Sequence, residues 1–236
     1  QTLSQTLAER GVDFRFDTTI ERVVQGGDQC RALLSDGSTE SADRIVCAVG
    51  RSPNTQGLGL ETIGVALGAK GEIQVDPSSR SAVENIWAIG DCTDRRNLTP
   101  VAVAEGQAVA TTIVSGVPSA VDYAQVATAV FSHPSVAMVG LTEQAAREHY
   151  EHVAVFRSHF KPMKQSLAER GGKDFFKLIV DRDTDRVLGC HLISDEAPEL
   201  IQLVAVAMRC GMTKTQLNET IAVHPTTAEE LVLMHE

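Results

Sequence analysis

Apolar positions recur at helical, alternating and unbroken spacings along the chain, and each spacing predicts a different element. Between Thr2 and Arg10 they follow the end of an amphipathic helix, which Gly11 stops. A strand-like run from Val12 to Val24, the pair Gly26-Gly27, a second run to Leu34, the turn pair Asp36-Gly37 and a third run predict a β-meander. Ile45 to Val49 is a short unbroken apolar run ending at Gly50, the pattern of a strand buried in a parallel sheet. A ligand is expected at the C-terminal end of such a strand. Ser52 to Asp76 reads as loop, and Ile86 to Ile89 as another buried strand ending at Gly90-Asp91. Thr99-Pro100 then opens a long helix to about Ser115, with Thr99 as N-cap, Pro100 in the first turn and Gly116 past the end. Its Val and Ala run is apolar nearly all round, so this helix is expected to be buried.

Pro118 to Tyr123 has the composition of a linker, and beyond it strands and helices alternate. Ala127 to Phe131, Ala137 to Gly140 and Val153 to Phe160 read as strands, and Thr142 to His149 as a helix. Phe175 to Val180 and Val187 to Ile193 form a hairpin across the polar turn Asp181 to Asp185. Pro198 to Cys210 is a buried helix closed by Gly211. Thr213 to Glu219 is a short helix with a Thr-x-x-Gln capping box, and Thr226 to His235 is the last one. The pattern predicts α/β character first and then an α+β domain built on an antiparallel sheet. Internal repeats and low-complexity tracts are absent from the sequence.

Composition narrows the function classes. The 236 residues are 43% hydrophobic and 22% charged, which suits one large or two ordinary globular domains. Aromatic residues make up only 4%, so the core is expected to be mainly Val, Leu, Ile and Ala. A formal charge of -10 argues against nucleic acid as a partner and favours a small metabolite or a protein. No apolar run approaches the roughly 20 residues of a membrane helix, and no charged-then-apolar leader opens the sequence. The expected location is the cytosol, or an organelle with the leader outside this chain. Cys30, Cys47, Cys92, Cys190 and Cys210 show no CxxC, CxxxxC or zinc spacing, and are expected to be reduced and buried.

Candidate chemistry begins at Ala88-Ile89-Gly90-Asp91, followed by Leu98-Thr99-Pro100 at a helix start. A carboxylate just past a strand, beside the free N–H groups of a helix N-terminus, can hold a polar ligand. The same residues also fit an Asx-type turn with no ligand. Further motifs then follow in order around these two. They are Ala48-Val49-Gly50-Arg51-Ser52-Pro53-Asn54-Thr55, Val130-Phe131-Ser132-His133-Pro134, Val139-Gly140-Leu141-Thr142-Glu143 and His224-Pro225-Thr226-Thr227-Ala228-Glu229-Glu230. In this arrangement, from about residue 45 to the end, the sequence resembles the C-terminal half of the glutathione reductase family. Residues 1 to 44 fit the tail of that family's nicotinamide-nucleotide domain. Phe160-Lys161-Pro162-Met163-Lys164 and the Glu229-Glu230 pair look like glutathione reductases rather than dihydrolipoamide dehydrogenases.

The resemblance implies three parts: residues 1–53 from a nucleotide-binding domain, 54–122 from an FAD-binding domain and 123–236 as an interface domain that pairs two copies. It implies FAD and NADPH as cofactors and glutathione disulfide as substrate. Asp91 would bind the flavin ribityl chain, and Leu98 and Thr99 would offer backbone N–H groups to the isoalloxazine. Gly50 and Arg51 would border the nicotinamide nucleotide, although Arg51 also reads as a solvated arginine. His224 would be the acid and base of the disulfide step, in the partner subunit's active site, with Glu229 orienting its ring. Imidazole suits that task because its reference pKa of ~6.5 allows proton exchange near neutrality. Thr226-x-x-Glu229 is also a capping box, so Glu229 has a purely structural reading. Met163 and Glu230 would line the substrate pocket, and His133 receives no chemistry.

Two positions depart from the pattern: Gln107 stands where many relatives carry a substrate-pairing arginine, and Leu233 where some carry threonine. GxGxxG and CxxxxC motifs are absent, so both pyrophosphate loops and the redox pair are expected upstream, and the chain by itself is expected to be inactive. Two rival readings stand beside this one. The first is a reductase of another substrate, of the dihydrolipoamide dehydrogenase or mercuric reductase kind. The second, of a different class, is a non-catalytic dimerisation module.

Overall fold

A computed structural model describes residues 2–167 and 172–235. Residues 18–122 form one compact unit, and residues 1–17 with 123–236 form another. Helix α1 (Thr2–Ala8) belongs to the second unit.

In the first unit, β1 (Ile20–Gly26), β2 (Gln29–Leu34) and β3 (Thr39–Ala42) make the expected antiparallel meander. The first strand begins later than the sequence suggested, at Ile20 rather than Val12. Val65, Ile73 and Ala88 form a small core, packed by Leu60, Val83 and Ile86. Two expected strands are corrected. Ile45 to Val49 has no strand partner among the described residues, and Val46 and Val49 are 86% and 93% exposed. Among the described residues, Ile86 to Ile89 makes only the single bridge between Trp87 and Arg80. An unbroken apolar run records a preference for burial, but a ladder also needs neighbouring strands to take its N–H and C=O groups.

Helix α2 runs from Thr99 to Ser115 with Pro100 in its first turn, and Gly116 closes it at φ 72°. Leu98, not Thr99, is the N-cap, in extended conformation. Full burial of α2 is also overturned: Val101 and Glu105 are buried, while Val103, Ile113 and Val114 are exposed. The apolar periphery of α2 exceeds the single face that its neighbours cover.

In the second unit, the strands are β4 (Thr128–Val130), β5 (Val136–Gly140), β6 (Val153–Phe160), β7 (Asp174–Asp181) and β8 (Val187–Ile193). They form one antiparallel sheet in the order β4-β5-β8-β7-β6, as expected of the α+β domain. Helix α3 (Glu143–His149) packs on β6, and Thr142 caps it by accepting the Ala145 N–H. The short α4 (Met163–Leu167) follows β6. Helix α5 (Ala197–Arg209) lies on β4, β5 and β8. Its Ala197, Ile201, Val204 and Met208 recur at helical spacing and join Val139, Phe176, Leu178 and Leu192 in the main core. Each large side chain buried there contributes about 1.5 to 3 kcal/mol.

Helix α6 (Lys214–Glu219) has the complete capping box, with Thr213 and Gln216 exchanging bonds. The last helix, α7, spans only Glu229–Leu233 and starts three residues later than expected. The cysteines are all free, but only Cys190 is buried, and Cys47 and Cys210 are exposed. Burial pushes the Cys190 thiol up to about 12, which makes it inert.

Candidate active site

In the sheet unit, the segment from His224 to Met234 is anchored by Leu231 and Met234, both buried in the core. Its start folds back on itself around one carboxylate. Glu229 Oε2 lies 2.9 Å from His224 Nδ1, while Glu229 Oε1 accepts the Thr226 N–H at 3.4 Å. The return bond is the Glu229 N–H donating to Thr226 Oγ1 at 3.2 Å. The reciprocal Thr226–Glu229 bonds therefore coexist with ring orientation, one carboxylate oxygen each, but they lie ahead of α7, whose N-cap is Ala228 with no side-chain cap bond, so the expected cap is corrected. The imidazole is 64% exposed and the carboxylate 13%, so a fixed acid sits behind a solvent-facing ring. Holding Nδ1 leaves Nε2 for proton exchange.

Glu230 Oε2 accepts a bond from Ser158 Oγ of β6 at 3.1 Å. That bond ties the 224–234 segment to the strand that leads into α4. Met163 opens α4 and is half-exposed. A cavity of about 260 Å³ is lined by Pro162, Met163 and Lys164 on one side and Pro225, Thr226 and Thr227 on the other. The structure thus brings Met163 beside the backbone that carries His224 and Glu229.

Lys164, on the wall of this cavity, belongs to a group of polar side chains that includes Glu196 and Asp174, which the sequence did not single out. Lys164 bonds to Glu196, which raises its pKa. Asp174, at the start of β7, is buried, and its Oδ2 has no hydrogen-bond partner among the described residues. Burial pushes its carboxyl up to about 6, and the Ser194 hydroxyl opposes that rise. Only a strand-entry Asp between Lys173 and Phe175 hinted at it in the sequence.

In the other unit, residues Gly90–Thr93 make a 3₁₀ turn that packs on α2. Gly90 has φ 68°, and a Cβ there would meet Ala102 Cβ at 3.0 Å, so glycine is needed both for conformation and for contact. Glu105, 1% exposed, accepts the Gly90 N–H at 2.6 Å and pairs with Arg95 at 3.1 Å. Arg95 also donates to Ser79 Oγ at 2.8 Å. This network fixes the turn, and its only trace in the sequence is a lone Glu inside an apolar helix. Asp91 projects from the turn, half-exposed, with Arg51 Nε 3.8 Å away. Gly50, before Arg51, has φ 119° and open space around its Cα. The Leu98 N–H is engaged with Arg96 O at 2.9 Å, and Thr99 follows as the first residue of α2. An exposed acceptor beside the N-terminus of a 17-residue helix suits a ligand that carries hydroxyls and gathers negative charge. Among the described residues no group of three or more His, Cys, Asp or Glu side chains could hold a metal ion. No described helix is long and apolar enough to cross a membrane.

Residues 1–106 match the pyridine nucleotide-disulphide oxidoreductases, and residues 126–235 match the dimerisation domain of the same group. The chain belongs to the pyridine nucleotide-disulphide oxidoreductase family. Within the family it is 42% identical over 225 residues to a chloroplastic/mitochondrial glutathione reductase of Pisum sativum, covering 95% of this chain and 41% of that protein. It is 38% identical over 237 residues to a trypanothione reductase of Leishmania donovani, covering 99% of this chain and 48% of that protein. Among solved structures, the HOCl-induced flavoprotein disulfide reductase RclA from Escherichia coli superposes with a TM-score of 0.88 at 27% identity, over 97% of this chain and 53% of that one. The chain spans about half the length of the curated relatives it matches.

Proposed function

We propose that this chain is the C-terminal half of a homodimeric flavoprotein disulfide reductase that takes electrons from NADPH and reduces glutathione disulfide. In this reading residues 1–53, 54–122 and 123–236 belong to the nucleotide, FAD and interface domains. The observation that carries it is the His224–Glu229 pair, a solvent-facing imidazole held at Nδ1 by a half-buried carboxylate at 2.9 Å. FAD, when bound, supplies hydride-derived electrons from NADPH to a cysteine pair outside this chain. Asp91 would accept hydroxyl bonds from the ribityl chain, and the start of α2 at Leu98 and Thr99 would face the pyrimidine end of the flavin. Gly50 and Arg51 would border the nicotinamide nucleotide. Met163 and Glu230 would bind the disulfide.

The chain's own part in the chemistry is proton transfer in the thiol-disulfide step. Cleavage of a disulfide by a cysteine thiolate releases a second thiolate, which leaves more readily as a thiol. His224 Nε2 donates that proton, and Glu229 balances the charge of the imidazolium from which it comes. Two thiols form for each NADPH and proton consumed. Gln107, exposed on α2, favours a second reading in which the substrate is a disulfide other than glutathione disulfide, as for the similar trypanothione reductase. A glutamine forfeits the bidentate charged contact that an arginine gives a substrate carboxylate.

The test is stopped-flow separation of the two half-reactions in the full-length enzyme. His224→Ala should leave reduction of the flavin by NADPH intact and slow reoxidation by glutathione disulfide by roughly a hundredfold or more. Equal slowing of both halves would sink the assignment.

A further inference from the structure

Lys214 is a buried cation in the sheet unit that the proposed chemistry does not use. It is 4% exposed at the start of α6, a position where lysine ordinarily reaches water. Its ammonium donates to Met234 O at 2.7 Å, bonds to Asn218 Oδ1 and sits 4.8 Å from the centre of the Phe156 ring. Asp185 supplies the nearby negative charge. Burial drives the lysine pKa below its ordinary value, so retaining the charge costs stability that an apolar side chain of the same length would not.

The acceptor Met234 O is the far end of the segment that begins at His224. Leu231 and Met234 anchor that segment by apolar burial, which sets depth but is non-directional. A short charge-assisted bond to a main-chain carbonyl sets rotation and register. From β6, Ser158 holds Glu230 in the middle of the same segment. With five residues in α7, a rotation at its C-terminal end is transmitted directly to Glu229, the residue that aims the imidazole.

We infer that Lys214 is a positioning residue for the disulfide step, fixing the far end of the His224–Met234 segment so that Glu229 presents the His224 ring at its working angle. The inference rests on the proposed role of His224. In the full-length enzyme, Lys214→Met keeps the stem and removes the charge. The disulfide half-reaction at saturating substrate should slow by about tenfold or more, the scale of a small misplacement of a reacting group. KM for the disulfide should stay within about threefold, and flavin reduction by NADPH should be unchanged. A merely structural lysine predicts a lower unfolding temperature with normal half-reactions, and that result overturns the inference. If Lys214→Met does not fold, Asn218→Ala decides. It leaves the lysine and removes one acceptor, so the same half-reaction should slow by roughly two- to fivefold, and a wild-type rate there overturns the inference. His224→Ala measured alongside separates the two ideas. If it leaves the disulfide step fast, the proposed function fails. If it slows that step and Lys214→Met does not, only the positioning role fails.

Discussion

Glu229 shows at the residue scale why one side chain resisted a single reading. Thr226-x-x-Glu229 spells a helix cap, and the five-residue spacing back to His224 says nothing about whether the ring folds over it. The structure gives Oε1 to the Thr226 N–H, ahead of α7 and not at its N-cap, and Oε2 to the ring. Glutamine has one acceptor oxygen and one donor amide, so Glu229→Gln can serve only one partner as an acceptor. The disulfide step should slow about tenfold or more, and urea unfolding should show a loss of about 1 kcal/mol, the size of one hydrogen bond. Wild-type values in both measurements would refute the dual role. Glu105 makes a second case. Replacing it with Leu removes the acceptor of the Gly90 N–H and the ion-pair partner of Arg95, which keeps its bond to Ser79 Oγ, and should cost about 3 kcal/mol in urea unfolding of the chain. A loss under about 1 kcal/mol would mean that Arg95 finds water instead.

Elements with self-contained signals were legible from the sequence. Strand β6 runs from Val153 to Phe160 as read, and α3, β8, α5 and α6 begin or end within a residue of expectation. Each has its cap, turn or alternation written locally, and its covering neighbours lie in the same unit. The runs Ile45–Val49 and Ile86–Ile89 failed because unbroken apolarity names no partner strand. Close approaches were invisible for a related reason: they depend on two distant positions at once. Gly140 pairs with Gly189 across β5 and β8, and a Cβ on Gly189 would come within 2.2 Å of Leu141 O, a backbone atom that cannot swing away. Gly189→Ala should therefore cost about 2 to 3 kcal/mol, the range of overpacking, and lower the thermal midpoint. A cost near zero would show that the β5–β8 ladder shifts to make room.

For the whole molecule, sequence motifs pointed to the positions from which the candidate site is built, but not to the buried polar groups of the fold. His224 and Asp91 face solvent, and Glu229 lies behind the His224 ring, at positions that sequence motifs mark. Asp174 and Lys214 are defined by what surrounds them in three dimensions. That difference predicts the pH dependence of stability. Glu143 bonds to Lys177, Arg147 and Arg157, and these hold its carboxyl near 2 against an ordinary 4.5. A depressed carboxylate stabilises the fold above its unfolded pKa, so this contribution fades as pH falls from 4.5 towards 2. Asp174 acts with the opposite sign. Its carboxyl is raised to about 6 from 3.8 by burial, with Asp195 and Glu196 adding to the rise and Ser194 and Lys164 opposing it. Between those values the folded chain keeps a proton that the unfolded chain has released, so stability falls as pH climbs from 3.8 to 6 and then levels. The loss is on the order of 3 kcal/mol. Asp174→Asn should thus leave stability nearly unchanged at about pH 4 and raise it at pH 7, flattening the limb between. Urea unfolding of the wild type and the variant across that range tests the sign directly. An equal shift at both ends would mean that the substitution alters packing and that Asp174 does not titrate there.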